Sequence, residues 1–428
     1  MKRLALVALA LGLAAGAAPA SAAAQGARPD PTFGNGRGWV TTAAAGASVA
    51  YGAAAIPGGK IVVAGQASAG AGNQQIFVAR FRANGRLDRG FGSRGIFKSA
   101  LPKAAGPFLA TAVARERRTG RLLVAGGYGQ GSMLVLRLTP AGRLDRSFGR
   151  SGLARTPAGG VAQSLALQSD GGILLGGSNE NRNGRPMVVA RFTRNGVLDR
   201  RFGRRGLAQV LFWNPDLASS AGVDGLATTP GGQVIGFGHL DYIGLDGHGS
   251  AGVFKLSAGG QPAQDFGNGG NVEVAFMRPA GGFAQWFPCA MRLDSGGRIM
   301  VTGDGSVGAG AAILSTRLTP QGMPDSSFGG AGDGLVVTPG ARDSSDTTCG
   351  ATSSAAGALT VGVGSNLAQL QADGSPNDRF GRGGLIHIAR PRGVGVNAVV
   401  RAGSRRVVVA GATRNALYVA RYRLPAQP

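Results

Sequence analysis

The residues of this 428-residue chain best suited to chemistry gather around positions 213–290. His239, Asp241, Asp246 and His248 fall within one short polar stretch that holds two of the three histidines. Imidazole and carboxylate together suit a divalent metal. Their spacing matches no established ligand signature, and a solvated polar loop accounts for the same residues, so no metal or cofactor is assigned. Trp213, with Asp216 beside it, Tyr242 and Trp286 could form an aromatic platform for a sugar or peptide. The alternative is local packing that pins the loops. Asp224 is the one further carboxylate placed to do acid–base work; a turn or strand-cap role is the competing reading. The chain has no Gly-x-Ser-x-Gly, no phosphate-cradling loop and no spaced Cys/His cluster, so no catalytic residue is assigned.

These residues must be held by a repeat. Asp88-Arg89-Gly90-Phe91-Gly92 returns as Asp145 to Gly149, Asp199 to Gly203 and Asp325 to Gly329, with an early copy at Asp30 to Gly34. Degraded copies end in Phe266-Gly267 and Phe380-Gly381. The phenylalanines lie 58, 57, 54, 64, 62 and 52 residues apart. Each interval carries four short apolar runs separated by turn residues. In the third unit these are Ala162 to Ser169, Ile173 to Gly177, Pro186 to Phe192 and Gly206 to Phe212, with Asp170-Gly171-Gly172 and Asn195-Gly196 as turns. Helical spacing is absent. Four short strands per unit make a propeller blade, and counting third strands gives seven.

The expected fold is therefore all-β: a seven-bladed β-propeller with four antiparallel strands per blade. Its domain runs from residue 30 to 428. The last unit stops after a third strand, while Gly36 to Thr42 is a fourth strand without a blade. Pairing that N-terminal strand with Leu417 to Leu424 would close the ring and leave neither terminus with an unpaired third strand.

The repeats also explain one another. Eight residues before each Asp of the string stands an Arg: Arg80 for Asp88, Arg137 for Asp145, Arg191 for Asp199 and Arg317 for Asp325. Arg421 would meet Asp30 once the ring closes. Ala263 and Asn377 replace the Asp where Lys255 and Gln369 replace the Arg. A bidentate guanidinium–carboxylate pair tying turn to strand is the expected reason. The Phe is expected to wedge between blades, and its Gly to adopt a backbone that a Cβ would hinder. The Asp-x-x-Phe-Gly string, the Val78-Ala79-Arg80-Phe81 strand and the period near 60 resemble the delta-60 repeat of exported bacterial proteins. That resemblance covers residues 30–428. It implies a β-propeller and no shared enzymatic activity.

Cys289 and Cys349 occupy equivalent positions at the start of the inner strands of blades five and six. Two cysteines in an exported chain favour a disulfide, with two buried free thiols as the alternative. Export is expected from Lys2-Arg3, the apolar run Leu4 to Ala15 and the small-x-small site Ala20-Ser21-Ala22, read as a signal peptide over 1–22 with a linker over 23–29. No later run is long enough to span a membrane.

The net charge is +24, almost all from Arg. Either an anionic partner or a compositional bias spread over the surface would produce it. Nucleic acid is disfavoured by export and by the lack of a basic–aromatic cluster. The reading is an extracytoplasmic, monomeric scaffold. It would recognise a cell-envelope polymer or exported protein through the long loops of blades four to six. A hydrolase or lyase at the channel mouth, and a structural wall protein, are the alternatives.

Overall fold

The computed structural model describes residues 26–425 apart from 43–47, 69–73, 100–107, 129–130, 158–159, 179–185, 213–217, 243–248, 276–284, 308–309, 341–348, 389–390, 392 and 415. Seven antiparallel sheets follow one another along the chain. Blade one is Ser48–Ile56, Lys60–Ser68, Gln74–Phe81 and Ile96–Ser99, from the channel outward. Blade three is Ala162–Leu167, Ile173–Ser178, Met187–Phe192 and Leu207–Val210. Blade five is Gln285–Leu293, Ile299–Val307, Gly310–Leu318 and Leu335–Pro339. In blade four the inner strand is broken into Ala218–Ala221 and Gly225–Thr228.

Burial is graded across each blade and explains the strand sequences. Inner strands alternate, as in Ala162–Leu167, where every second residue is buried. Second strands are buried throughout, as in Ile173–Ser178, and so read as continuous apolar runs. Outer strands alternate again; Leu335–Pro339 shows one face to solvent.

The core is not one mass but seven clusters, each shared by two neighbouring blades. Val408, Ala410, Leu417 and Val419 of blade seven pack with Ile61, Val63 and Phe77 of blade one. Corresponding clusters join blades one to two, two to three, and on around the ring. No unit buries its apolar faces alone, which is why the repeat must go full circle.

The closure is made by the N-terminal strand. Trp39–Thr42 pairs antiparallel with Ala416–Arg423, with Trp39 opposite Ala420 and Thr42 opposite Leu417. Arg28–Pro29 pairs with Arg423 and Tyr422 farther along that strand. The ring therefore takes in residues expected to be linker, because the exposed edge of the last strand is longer than the four-residue strand that covers it.

The inner strands carry a β-bulge at a repeated position, the register shifting between Ala50 and Gly52, Ala110 and Ala112, Ala162 and Ser164, Pro288 and Ala290, and Val396 and Ala398. A glycine within the second strand, opposite the bulge, permits this. A Cβ on Gly65 would lie 1.9 Å from the Val49 carbonyl oxygen, and one on Gly303 would lie 2.1 Å from that of Phe287. Blade six has Val363 in place of that glycine, and there Cys349 pairs regularly opposite it with no bulge.

Candidate functional site

The repeated string forms a buried cluster at each junction. Arg137 Nε donates to Asp145 Oδ2 at 2.8 Å, Nη2 to Ser147 Oγ at 3.3 Å and Nη1 to the Arg194 carbonyl of the next blade at 2.7 Å. The guanidinium also lies 4.6 Å over the Phe148 ring. Arg80, Arg191, Arg317 and Arg421 repeat the pattern on Asp88, Asp199, Asp325 and Asp30, at 2.7 to 2.9 Å. At Arg137 only Nε meets the carboxylate, so the bidentate pair expected from sequence does not form there, whereas Arg191 sets both Nε and Nη2 on Asp199 Oδ2, at 2.9 and 2.8 Å. At Arg137 the other guanidinium nitrogens are taken by a hydroxyl and by the neighbouring blade, so one side chain ties three segments together.

Phe148 is fully buried, and a Cβ on Gly196 of the next blade would lie 2.8 Å from its ring. This is a wedge between blades. Gly149 after it has φ +52° and donates to the Asn195 carbonyl across the same junction. Where the pair is replaced, the contact is rebuilt. Lys255 reaches Asp265, two residues beyond the vacated position, at 3.2 Å. Asn377 Nδ2 donates to Gln369 Oε1 at 2.6 Å.

The bulge residues form a second ring around the channel, and here the cysteines find their explanation. Thr111 Oγ1 donates to the Ala162 carbonyl of blade three at 2.7 Å, and Asn397 Nδ2 to the Ala50 carbonyl of blade one at 2.7 Å. Cys289 and Cys349 make the same step covalently between blades five and six, with Cα atoms 5.6 Å apart. Each side chain clasps the next blade. Thr111 and Asn397 were legible only by aligning them with Cys289.

Asp224 stands at the equivalent place in blade four but turns back on its own blade. Its Oδ2 accepts the backbone N–H of His239 at 3.0 Å and faces His239 Nδ1 at 2.6 Å. Both residues are partly exposed and line the central channel, whose volume is about 850 Å³. Two sequence candidates fifteen residues apart thus form one carboxylate–imidazole pair. The break in the blade-four inner strand leaves Asp224 room to do this.

Arg292 also lines the channel, from the inner strand of blade five. Its Nη1 donates to the Met291 carbonyl at 2.7 Å. Burial pushes its pKa down to about 10. The sequence reading missed it. The signal was available, because blades one to four place Ala54, Ala114, Ala166 and Ala227 there.

Of the remaining candidates, Trp286, Asp241 and Tyr242 lie within described strands. Trp286 is fully buried against Phe237, Ile299 and Val301, so it cannot offer a ring face to a ligand. An aromatic platform that includes it is therefore replaced by packing between blades four and five. Asp241 and Tyr242 lie in the strand Val234–Tyr242, opposite Gly249 and Ala218 respectively. Trp213, Asp216, Asp246 and His248 lie outside the described residues. Among the described residues no cluster of three or more His, Cys, Asp or Glu could hold a metal ion. No helix among them is long and apolar enough to cross a membrane.

The chain is a seven-bladed β-propeller closed by its own N-terminal strand. Residues 57–91, 118–148 and 168–202 match the family described as "Domain of unknown function (DUF5122) beta-propeller". No curated protein matches the sequence. Among solved structures, the chain is similar to Sqt1 from Chaetomium thermophilum, at 14% identity and TM-score 0.48, covering 91% of this chain and 85% of that one. It is similar to the polysaccharide lyase Uly1 at 10% identity and TM-score 0.48, covering 88% and 90%. It is also similar to the PQQ-bound aldose sugar dehydrogenase of Streptomyces coelicolor, at 11% identity and TM-score 0.41, covering 90% and 98%.

Proposed function

We propose that this protein is an exported binding scaffold that recognises a cell-envelope polymer or exported protein at the channel mouth, on the side of the long connections of blades four to six. One observation carries the reading. Among the described residues lining the channel, the three that carry a carboxylate, an imidazole or a guanidinium group, Asp224, His239 and Arg292, all belong to blades four and five. The rest of the wall is built from small, aliphatic, aromatic and neutral polar side chains, Tyr51 and Phe287 among them. A rigid ring with a locally polar opening suits binding, since little ordering entropy is lost. The disulfide fits an oxidising compartment, in keeping with the leader read over residues 1–22.

The test is retention of the purified mature protein on fractionated cell-envelope polymer. Asp224→Asn combined with Arg292→Ala should weaken retention by about tenfold or more, because each removes a charge-assisted contact. Unchanged retention would overturn the reading.

The second reading is a hydrolase or lyase, favoured by the 2.6 Å contact between Asp224 and His239. A carboxylate at Nδ1 orients an imidazole for proton transfer at its other nitrogen. Release of reducing ends or unsaturated sugars from envelope polysaccharide, lost in His239→Gln, would establish it. Absence of any product from the wild type, with binding intact, would leave the scaffold reading standing.

A further inference from the structure

The connections between third and fourth strands all emerge on one face of the ring, opposite the long loops. Their charge is not evenly shared. The connections of blades one, two and three, residues 82–95, 139–152 and 193–206, hold four, three and five arginines. Those of blades four and five, 257–270 and 319–334, hold no Lys or Arg, and carry Asp265 and Asp333 besides the buried Asp325. A uniform compositional preference for Arg would load all the connections alike, since they are copies of one string.

The arginines concerned are not those of the structural clusters. Arg89, Arg146 and Arg200 directly follow the structural Asp, and Arg94, Arg150 and Arg204 follow the Phe-Gly; all six are exposed. The acids in these three connections are Asp88, Asp145 and Asp199. They are turned onto Arg80, Arg137 and Arg191. What remains outward is an arc of guanidinium groups over three adjacent blades; Asp88 also lies 3.6 Å from Arg82, and Glu116 of the nearby turn lies 3.6 Å from the buried Arg137.

We propose that this arc is a docking surface for a linear polyanion bearing repeated phosphate or carboxylate groups. Guanidinium recognises both anions through paired N–H donors, and a row of them at repeat spacing suits a polymer better than a single small anion. The aromatic residues in these connections, Phe91, Phe148 and Phe202, are completely buried. The arc therefore offers no ring on which nucleobases could stack, which favours a polyanion without bases over single-stranded nucleic acid. The surface is separate from Asp224 and His239, so its test is independent of the channel.

The purified mature chain would be titrated into fluorescent inorganic polyphosphate and, separately, polygalacturonate, with single-stranded DNA as a third arm, reading anisotropy. The two polyanions distinguish phosphate from carboxylate as the preferred group. Arg89→Ser/Arg146→Ser/Arg200→Ser should weaken the preferred polyanion by about tenfold. Arg379→Ser/Arg382→Ser/Arg414→Ser removes the same charge elsewhere and should change affinity less than about twofold. In the wild type, bound polyanion should protect Arg89, Arg146 and Arg200 from phenylglyoxal while Arg379 and Arg414 remain reactive. That measurement does not depend on any variant folding. Equal losses in the two triple variants, no binding by the wild type, no selective protection, or tighter binding of DNA than of either polyanion would each overturn the proposal.

Discussion

At the scale of single residues, the informative side chain is the arginine of the third strand. Arg137 and Asp145 are both buried, so the pair is held by geometry more than by bare attraction. Arg137→Lys keeps the charge but loses the planar fork that reaches Asp145, Ser147 and the Arg194 carbonyl together. It should cost about 1–3 kcal/mol in denaturant unfolding. Asp145→Ala leaves the guanidinium buried without its carboxylate and should cost more, about 3–5 kcal/mol. If the lysine variant is as stable as the wild type, the three-way tie has no energetic weight. The eight-residue spacing of Arg and Asp was readable from the repeats alone. The use of the other nitrogens was not, because their partners lie on the neighbouring blade or depend on the direction of a hydroxyl. Asp224 and His239 show the same limit. Each was visible as a candidate, but only the antiparallel fold of blade four brings them to 2.6 Å.

At the scale of elements, the closure and the disulfide carry the predictions. Asp30 is fully buried and meets Arg406, Arg421 and Arg423 at 2.8 to 2.9 Å, where blade seven receives its fourth strand. Burial alone would raise its pKa. Hydrogen bonds from Thr32 and the adjacent Arg421 and Arg423 outweigh that and hold it well below the ordinary value of 3.8. A carboxyl depressed in the folded state stabilises fully above that ordinary value and loses its contribution as pH falls toward the folded value. Thermal stability should therefore be level through neutral pH and fall below about pH 4. Asp30→Asn should lower the melting temperature at pH 7 and make the acid limb shallower. Deleting residues 23–45 should lower it sharply, since blade seven then exposes the edge of Ala416–Arg423; an unaltered melting temperature would refute the closure as a source of stability.

The disulfide closes a loop with a sequence separation of 60. On loop entropy that is worth about 4 kcal/mol. Cys289→Ser/Cys349→Ser should shift the denaturant midpoint downward by a corresponding amount, and non-reducing mass spectrometry of the wild type should find no alkylatable thiol. The pairing was expected from equivalence in the repeat. The bulge at Cys289, absent at Cys349, is a local feature of backbone register that the cysteine spacing does not express.

At the scale of the whole molecule, neighbours are everything. Seven core clusters straddle seven junctions, so damage at one junction should spread through loss of the ring instead of staying in one blade. By itself the sequence determined the number of blades, the order of strands, the partner of the last strand and the pairing of the cysteines. Each follows from a repeat period or from equivalence between copies, and periodicity is a one-dimensional property. The tertiary structure alone decided that Trp286 is core and not platform, that Asp224 holds His239, and that the aspartates of three arginine-rich connections turn onto Arg80, Arg137 and Arg191. Those are matters of which face a side chain takes and what stands across a junction. They are settled by contacts between strands and across junctions, 15 positions apart at Asp224 and His239 and 51 to 59 where blades meet, which no local pattern encodes.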